Sequence, residues 1–248
     1  MAKDWICPEC KHVVKKEEIE QGLFDGVCPI CGYCEKIIPK DLPPEGTVSK
    51  KQLGILVLDG SGSMSTPTRE LYSKADAVSK SVTEFFEIIK SSGIKNQFCF
   101  AVIDFDEKAY RKLDITETAN INTFDNYNPI HEKGKRTYLY TGLNEAEKIA
   151  EAFLDSEEEQ VRSVVIVIMT DGLDMNMEKA KTTADRIKEK YGKKVKITAS
   201  CFGTRDITAE DRVQIMAFLK TIVTEESFCI ETSSAKELRS FFIASVSR

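Results

Sequence analysis

A chain of 248 residues is long enough for one sizeable domain and a small appendage. Its 42% apolar and 30% charged residues describe an ordinary globular protein, and no apolar run approaches the ~20 residues of a membrane span. The formal net charge of −5 offers no general attraction to nucleic acid or to anionic lipid.

The first residues, Met1 to Trp5, lack the apolar core of a signal peptide, which predicts a cytoplasmic chain. Five of the eight cysteines lie within the first 34 residues. In that compartment such a cluster points to metal and not to disulfides. Two Cys-Pro-x-Cys turns, Cys7/Cys10 and Cys28/Cys31, are separated by seventeen residues. Each turn can place two sulfurs on one ion, so the four thiolates suit a closed tetrahedral site. The segment resembles zinc ribbons and rubredoxin-like knuckles. A structural Zn²⁺ is the first reading and a redox iron the second. Cys34 is taken as a spare thiol. Over residues 1–46 six lysines face nine acidic residues, a balance that does not favour phosphate binding. Residues 1–38 are therefore expected to form a structural or protein-docking zinc ribbon. Residues 39–51, with Pro39, Pro43 and Pro44, read as an extended linker.

From residue 52 to 248 apolar runs alternate with helical patterns. Leu53 to Leu58, Phe98 to Phe105, Val164 to Met169 and Val195 to Phe202 read as buried parallel strands, because their apolar character is nearly continuous. Leu71, Ala75, Val78, Val82, Phe85 and Ile89 recur at helical spacing between the first two. Further helices are predicted over Tyr140 to Leu154, Met177 to Tyr191 and Ala209 to Val223. A short strand near Cys229 and a closing helix from Ala235 to Val246 complete the series. The fold class is α/β, a doubly wound, mostly parallel sheet in which ligands bind beyond the carboxyl ends of the strands. Cys99, Cys201 and Cys229 fall in apolar runs and read as small buried hydrophobes.

The first of these strands runs into "LDGSGSM", which carries oxygen at Asp59, Ser61 and Ser63. A turn would need the glycines but not an oxygen at every second residue. Two other loops carry oxygen in matching places: "GKRTYLYTGLNEA", with Thr137 before a helix, and "VVIVIMTDGLD", with Asp171 after a core strand. The set Asp-x-Ser-x-Ser, threonine, aspartate resembles the metal-ion-dependent adhesion site of von Willebrand factor A domains. In that family a glycine follows the ligand threonine by five residues. Gly142 stands at that distance from Thr137, which selects it over Thr141. Gly60 departs from the bulkier residue that many members carry. The resemblance implies one divalent ion, Mg²⁺ or Mn²⁺/Ca²⁺, held by Asp59, Ser61, Ser63, Thr137 and Asp171. A hard ion wants about six oxygens. Three neutral hydroxyls and two carboxylates leave at least one position open and the ion electrophilic. The expected partner is a protein offering an Asp or Glu side chain.

Enzyme chemistry has less support. The two histidines, His12 and His131, fit no Ser-His-Asp order, and neither a nucleophile elbow nor a Walker loop is present. A magnesium-dependent phosphatase would want an acid and a lysine beside the strand-end aspartate. Asp104 and Asp106, on another strand end, read as a rim or a turn, and the acidic run at 155–160 as a solvated loop. The arrangement resembles bacterial intracellular A-domain proteins of the tellurium-resistance type, which implies a non-enzymatic assembly or adaptor role. The alternatives are a scaffold subunit of a nucleic-acid-processing complex and, behind it, a Mg²⁺-dependent hydrolase.

Overall fold

The computed structural model describes residues 5–6, 13–14, 50–68, 72–93, 95–130, 136–156, 161–203 and 207–247. The four expected zinc ligands, Cys34, His12, the linker up to residue 49, His131 and residues 157–160 of the acidic run lie outside them. Two short strands, β1 (Trp5–Ile6) and β2 (Val13–Val14), pair antiparallel.

The remaining strands are β3 (Lys50–Asp59), β4 (Phe98–Phe105), β5 (Ala109–Glu117), β6 (Val161–Thr170), β7 (Val195–Phe202) and β8 (Cys229–Thr232). They form one six-stranded sheet in the order β5-β4-β3-β6-β7-β8. All neighbours are parallel except β5, which pairs antiparallel with β4 through an irregular register. Among the described residues five helices cover the sheet: α1 (Lys74–Ser91), α2 (Leu139–Leu154), α3 (Met177–Tyr191), α4 (Ala209–Ile222) and α5 (Ala235–Val246).

The period-2 alternation of the strands divides the core into two layers. Leu53, Ile55 and Val57 of β3 join Val164, Ile166 and Ile168 of β6 on the face covered by α2, α3 and α4. Leu56 and Leu58 join Val165, Val167 and Met169 on the face covered by α1 and α5. Because both faces are covered, no polar residue interrupts these strands, which is why they read as unbroken apolar runs. On the second face Phe85 sits 5.2 Å from Phe100 and 5.9 Å from Phe242, edge to face. Each such fully buried ring stabilises the fold by roughly 1.5–3 kcal/mol. Cys99, Cys201 and Cys229 are buried, and burial pushes the Cys201 thiol up to about 12. They act as small hydrophobes, as expected.

The predicted strands and helices are all present, with two differences. The helix after β3 starts at Lys74, not at Leu71, because Ser73 caps it. The Ser73 hydroxyl accepts from the Asp76 N–H, and the Asp76 carboxylate accepts from the Ser73 N–H. The strand β5 was not anticipated. Along β5 Ala109 and Leu113 pack against the core layers, while most of the strand is charged or polar and part-exposed. Charged residues on an edge strand also discourage pairing with other chains.

The strand order reverses between β3 and β6, since the chain leaves β3 toward β4 on one side and builds β6, β7 and β8 on the other. A crevice for ligands opens outside the carboxyl ends at such a reversal. Asp59 is the last residue of β3, and Asp171 follows the last residue of β6.

Candidate metal centre

The loop after β3 folds as a single 3-10 turn over Gly62–Ser65. Met64 in its middle is fully buried in the α1/α5 layer, which pins the turn. Ser61, three residues before that anchor, is buried, and Ser63, directly before it, is exposed. Gly60 is needed for space. A Cβ on it would lie 2.3 Å from the carbonyl oxygen of Pro129, so the segment before His131 passes directly over the turn. The departure from the family pattern at this position thus has a local steric cause.

Asp59 is wholly buried. One carboxylate oxygen accepts the Ser61 N–H at 2.8 Å and the other accepts the Thr170 hydroxyl at 2.5 Å. Asp171 is also buried; one oxygen accepts the Ser63 hydroxyl at 2.6 Å and the other the Lys74 ammonium at 2.7 Å. The Ser61 and Ser63 hydroxyl oxygens are 3.0 Å apart. Thr137 is buried, and its hydroxyl lies 3.7 Å from the point where a Cβ on Gly172 would stand, with the Ser63 hydroxyl 3.8 Å from the same point. Gly172 therefore leaves open a small space onto which both hydroxyls face. Thr141 lies four residues later, inside the first turn of α2, and its hydroxyl donates to the Tyr138 carbonyl at 2.8 Å.

The loops carrying Thr137 and Asp171 are joined to each other. Asp174 accepts the Leu139 N–H, capping α2 from across the loop, and accepts the Asn176 N–H at 2.6 Å. The Met175 N–H donates to the Thr137 carbonyl at 2.9 Å. On the other side the Tyr138 N–H donates to the Asp106 carbonyl at 3.1 Å. Asp106 itself turns the chain between β4 and β5, accepting the Lys108 N–H at 2.9 Å. Of the two readings of Asp104 and Asp106, the turn is right for Asp106. Both are buried, and Asp104 pairs with Lys112 at 3.0 Å, so neither forms a rim.

Burial, and next the charge of Asp171, push the Asp59 carboxyl up to about 7, against hydrogen bonds from Thr170 and Ser61 that hold it down. Lys74 already balances Asp171, so the ionised Asp59 is the charge that a further cation would offset. The donor set of hydroxyls and carboxylates is that of a hard ion and not of a thiophilic one. The spacing fits as well, because two oxygens on adjacent corners of an octahedron with ligands at about 2.0–2.1 Å lie about 3 Å apart. With both oxygens of each aspartate engaged by protein donors, Ser61, Ser63 and Thr137 supply the free lone pairs. The carboxylates then orient these hydroxyls and supply charge.

Three residues of this centre were not singled out in the sequence: Thr170, Asp174 and Lys74. Thr170 and Asp174 flank Asp171 within "MTDGLD", so proximity was an available signal. Lys74 follows the α1 cap and carries none.

Residues 55–173 match the family model of the von Willebrand factor type A domain, a stretch that contains all five expected ligands. No curated protein matches the chain. Among solved structures, the pilus adhesin SpaC of Lactobacillus rhamnosus GG is 14% identical with a TM-score of 0.61, covering 78% of this chain and 30% of its own. The proximal thread matrix protein 1 of the mussel byssus, solved with a zinc-occupied MIDAS motif, is 18% identical with a TM-score of 0.58, over 80% and 46%. The vWF domain of the type V pili tip protein Mfa5 from Porphyromonas gingivalis is 13% identical with a TM-score of 0.58, over 79% and 94%. The chain thus spans about a third of the adhesin and about half of the mussel protein. At these identities the likeness is one of fold. Residues 55–173 are thus similar to the von Willebrand factor type A domain, and the solved structures share the fold of this chain.

Proposed function

We propose that residues 52–248 act as a metal-dependent protein-binding module. A hard divalent ion, Mg²⁺ in the first instance, sits among Asp59, Ser61, Ser63, Thr137 and Asp171 and takes an Asp or Glu side chain of a partner protein. The observation that carries this reading is the meeting of hydroxyls at the strand-order reversal, with Ser61 and Ser63 3.0 Å apart and Thr137 facing Ser63. Such a donor set leaves the ion short of negative charge, so that an incoming carboxylate completes it. Beside the site, Met175 is 59% exposed although its backbone is fixed to Thr137, which gives a partner an apolar contact next to the acid. The role is that of an assembly or adaptor protein of the cytoplasm, and the ribbon at residues 1–38, with its Zn²⁺, serves as a second docking or stabilising unit. Among the described residues no helix is long and apolar enough to cross a membrane. The acidic balance of residues 1–46 weighs against the nucleic-acid scaffold.

One observation favours the hydrolase as a second reading: Lys74 stands on Asp171, as a phosphatase would want. Against it, both Asp171 oxygens accept protein donors, and so neither is presented as a nucleophile. The test captures partners from a lysate with the full chain and with Asp59→Ala, each with Mg²⁺ and with chelator, and assays p-nitrophenyl phosphate in parallel. Capture should need both Asp59 and the ion, without turnover. Turnover dependent on Mg²⁺ and lost in Asp171→Ala would replace the binding module with the hydrolase.

A further inference from the structure

Two methionines flank Asn176, the cap of α3, a few residues after Asp171, and both face solvent: Met175 is 59% exposed and Met177 42%. Other exposed large apolar side chains among the described residues, such as Phe124, Val161 and Val213, lie singly on separate elements, which is ordinary for a protein surface. The next exposed residues of α3 are polar: Glu178, Lys179, Lys181 and Thr182. Methionines so exposed add little to the core, and polar neighbours would serve a helix cap as well. Where a local rule is broken without gain to the fold, function is the usual reason. The backbone fixes the pair beside the metal centre. The Met175 N–H donates to the Thr137 carbonyl at 2.9 Å. Tyr138, at the start of α2, provides no side-chain cap, and Asp174 takes that place by accepting the Leu139 N–H while also accepting the Asn176 N–H. On the same flank Tyr138 and Tyr140 are half-buried with ring centroids 5.7 Å apart, and the Lys179 ammonium lies 3.9 Å from the centroid of Tyr140. The turn on the α1 side of the centre exposes Ser63 and Ser65 instead. The apolar flank is therefore one-sided.

We propose that Met175 and Met177 form an apolar subsite beside the ion, and that the partner is a protein segment with an aliphatic side chain next to its acid. The inference rests on the metal-dependent reading of the site above and names the partner of that same site. A carboxylate alone selects poorly, because every protein surface offers Asp and Glu. A second contact at a fixed distance from the first supplies the selection. The Met175 backbone is one hydrogen bond from Thr137, a span that neighbouring residues of one chain, about 3.8 Å apart at Cα, can bridge. Because Asp174 and Thr137 already hold the loop, a partner pays little to order it. Methionine is unbranched and adapts its shape, so the subsite selects apolar character and not one particular residue.

The test titrates capped tripeptides into the full chain in excess Mn²⁺ by calorimetry. Acetyl-Leu-Asp-Leu-amide should bind about tenfold more tightly than acetyl-Gly-Asp-Gly-amide, and acetyl-Leu-Asn-Leu-amide should not bind. With Met175→Ser and Met177→Ser together, both Asp peptides should bind alike, at the wild-type affinity for the glycine peptide. Met175→Leu with Met177→Leu should keep the preference. Each single Ser variant should lose part of it, which keeps the test open should the double variant fail to fold. If the wild type binds the two Asp peptides equally, or the double Ser variant keeps the preference, while Asp59→Ala abolishes binding, the subsite is wrong and the metal site stands. If the glycine peptide does not bind in Mn²⁺, or binds Asp59→Ala as well as the wild type, both readings fall. Mn²⁺-dependent dimerisation of the chain, lost in the double Ser variant, would make a second copy the occupant and overturn the partner assigned here.

Discussion

Asp59 has no contact with solvent, and everything it does is set by three neighbours. Thr170 holds one of its oxygens at 2.5 Å, the Ser61 N–H holds the other, and the charge of Asp171 opposes its ionisation. A ligand's supporting hydrogen bond typically contributes 10–100-fold in metal affinity. Thr170→Val keeps the shape and removes the hydroxyl, so Mn²⁺ affinity should fall by about that factor while the melting temperature with ion absent changes little. Unchanged Mn²⁺ affinity would mean that Asp59 is held by its backbone contact alone. The raised position of the Asp59 carboxyl has a second consequence. Without a divalent ion the folded protein keeps a proton on Asp59 that the unfolded chain has released. The stability this group contributes is therefore full below its ordinary value of 3.8 and is lost as the pH rises through about 7. Urea unfolding from pH 4 to 8 should accordingly show a smaller loss of stability with rising pH in Asp59→Asn than in the wild type. Parallel curves would show that Asp59 ionises as an ordinary carboxylate.

At the scale of elements, the strands were legible where burial is two-sided, because a covered parallel strand is mostly apolar even where it buries an Asp104, a Thr198 or a Ser200. Phe98 to Phe105 and Val195 to Phe202 were placed to the residue. The strand β5 was not, since an edge strand with charges on its open side gives a weak apolar pattern. The site divides in the same way. Asp59, Ser61, Ser63 and Asp171 stood out as oxygens at the ends of apolar runs, and Thr137 as one before a helix, picked out by the family resemblance. Lys74 did not, because its role depends on a contact 97 positions away that no local pattern records. Gly60 belongs to this scale too, since its meaning lies in the segment that crosses it. The 2.3 Å approach is to a backbone oxygen, so neither partner can yield by a side-chain rotation. Gly60→Ala should destabilise the fold by about 1–3 kcal/mol and displace the segment around Pro129. Urea unfolding measures the first effect, and faster amide exchange in that segment the second. Wild-type stability in Gly60→Ala would mean that the crossing is loose.

For the whole molecule we propose that residues 1–38 are a second metal unit, independent of the one proposed at the sheet edge. The strands β1 and β2 flank Cys7 and Cys10 in the sequence and pair with each other. Cys28 and Cys31 repeat the spacing, and a segment this short has too little apolar surface to fold without metal. The two proposed centres would also differ in kind, since four thiolates would select Zn²⁺ and hydroxyls with carboxylates a hard ion. Each should therefore be removable without the other. Metal analysis of the full chain should find about one zinc bound by Cys7, Cys10, Cys28 and Cys31. Cys28→Ser should lose that zinc while still binding Mn²⁺ at the sheet edge, and Asp59→Ala should lose Mn²⁺ binding while retaining zinc. Full zinc in Cys28→Ser would move the fourth ligand to Cys34. A red protein with reversible redox chemistry would mean iron in its place. If Cys28→Ser abolished Mn²⁺ binding as well, the two units would fold as one, and the division at residues 39–51 would have to be withdrawn.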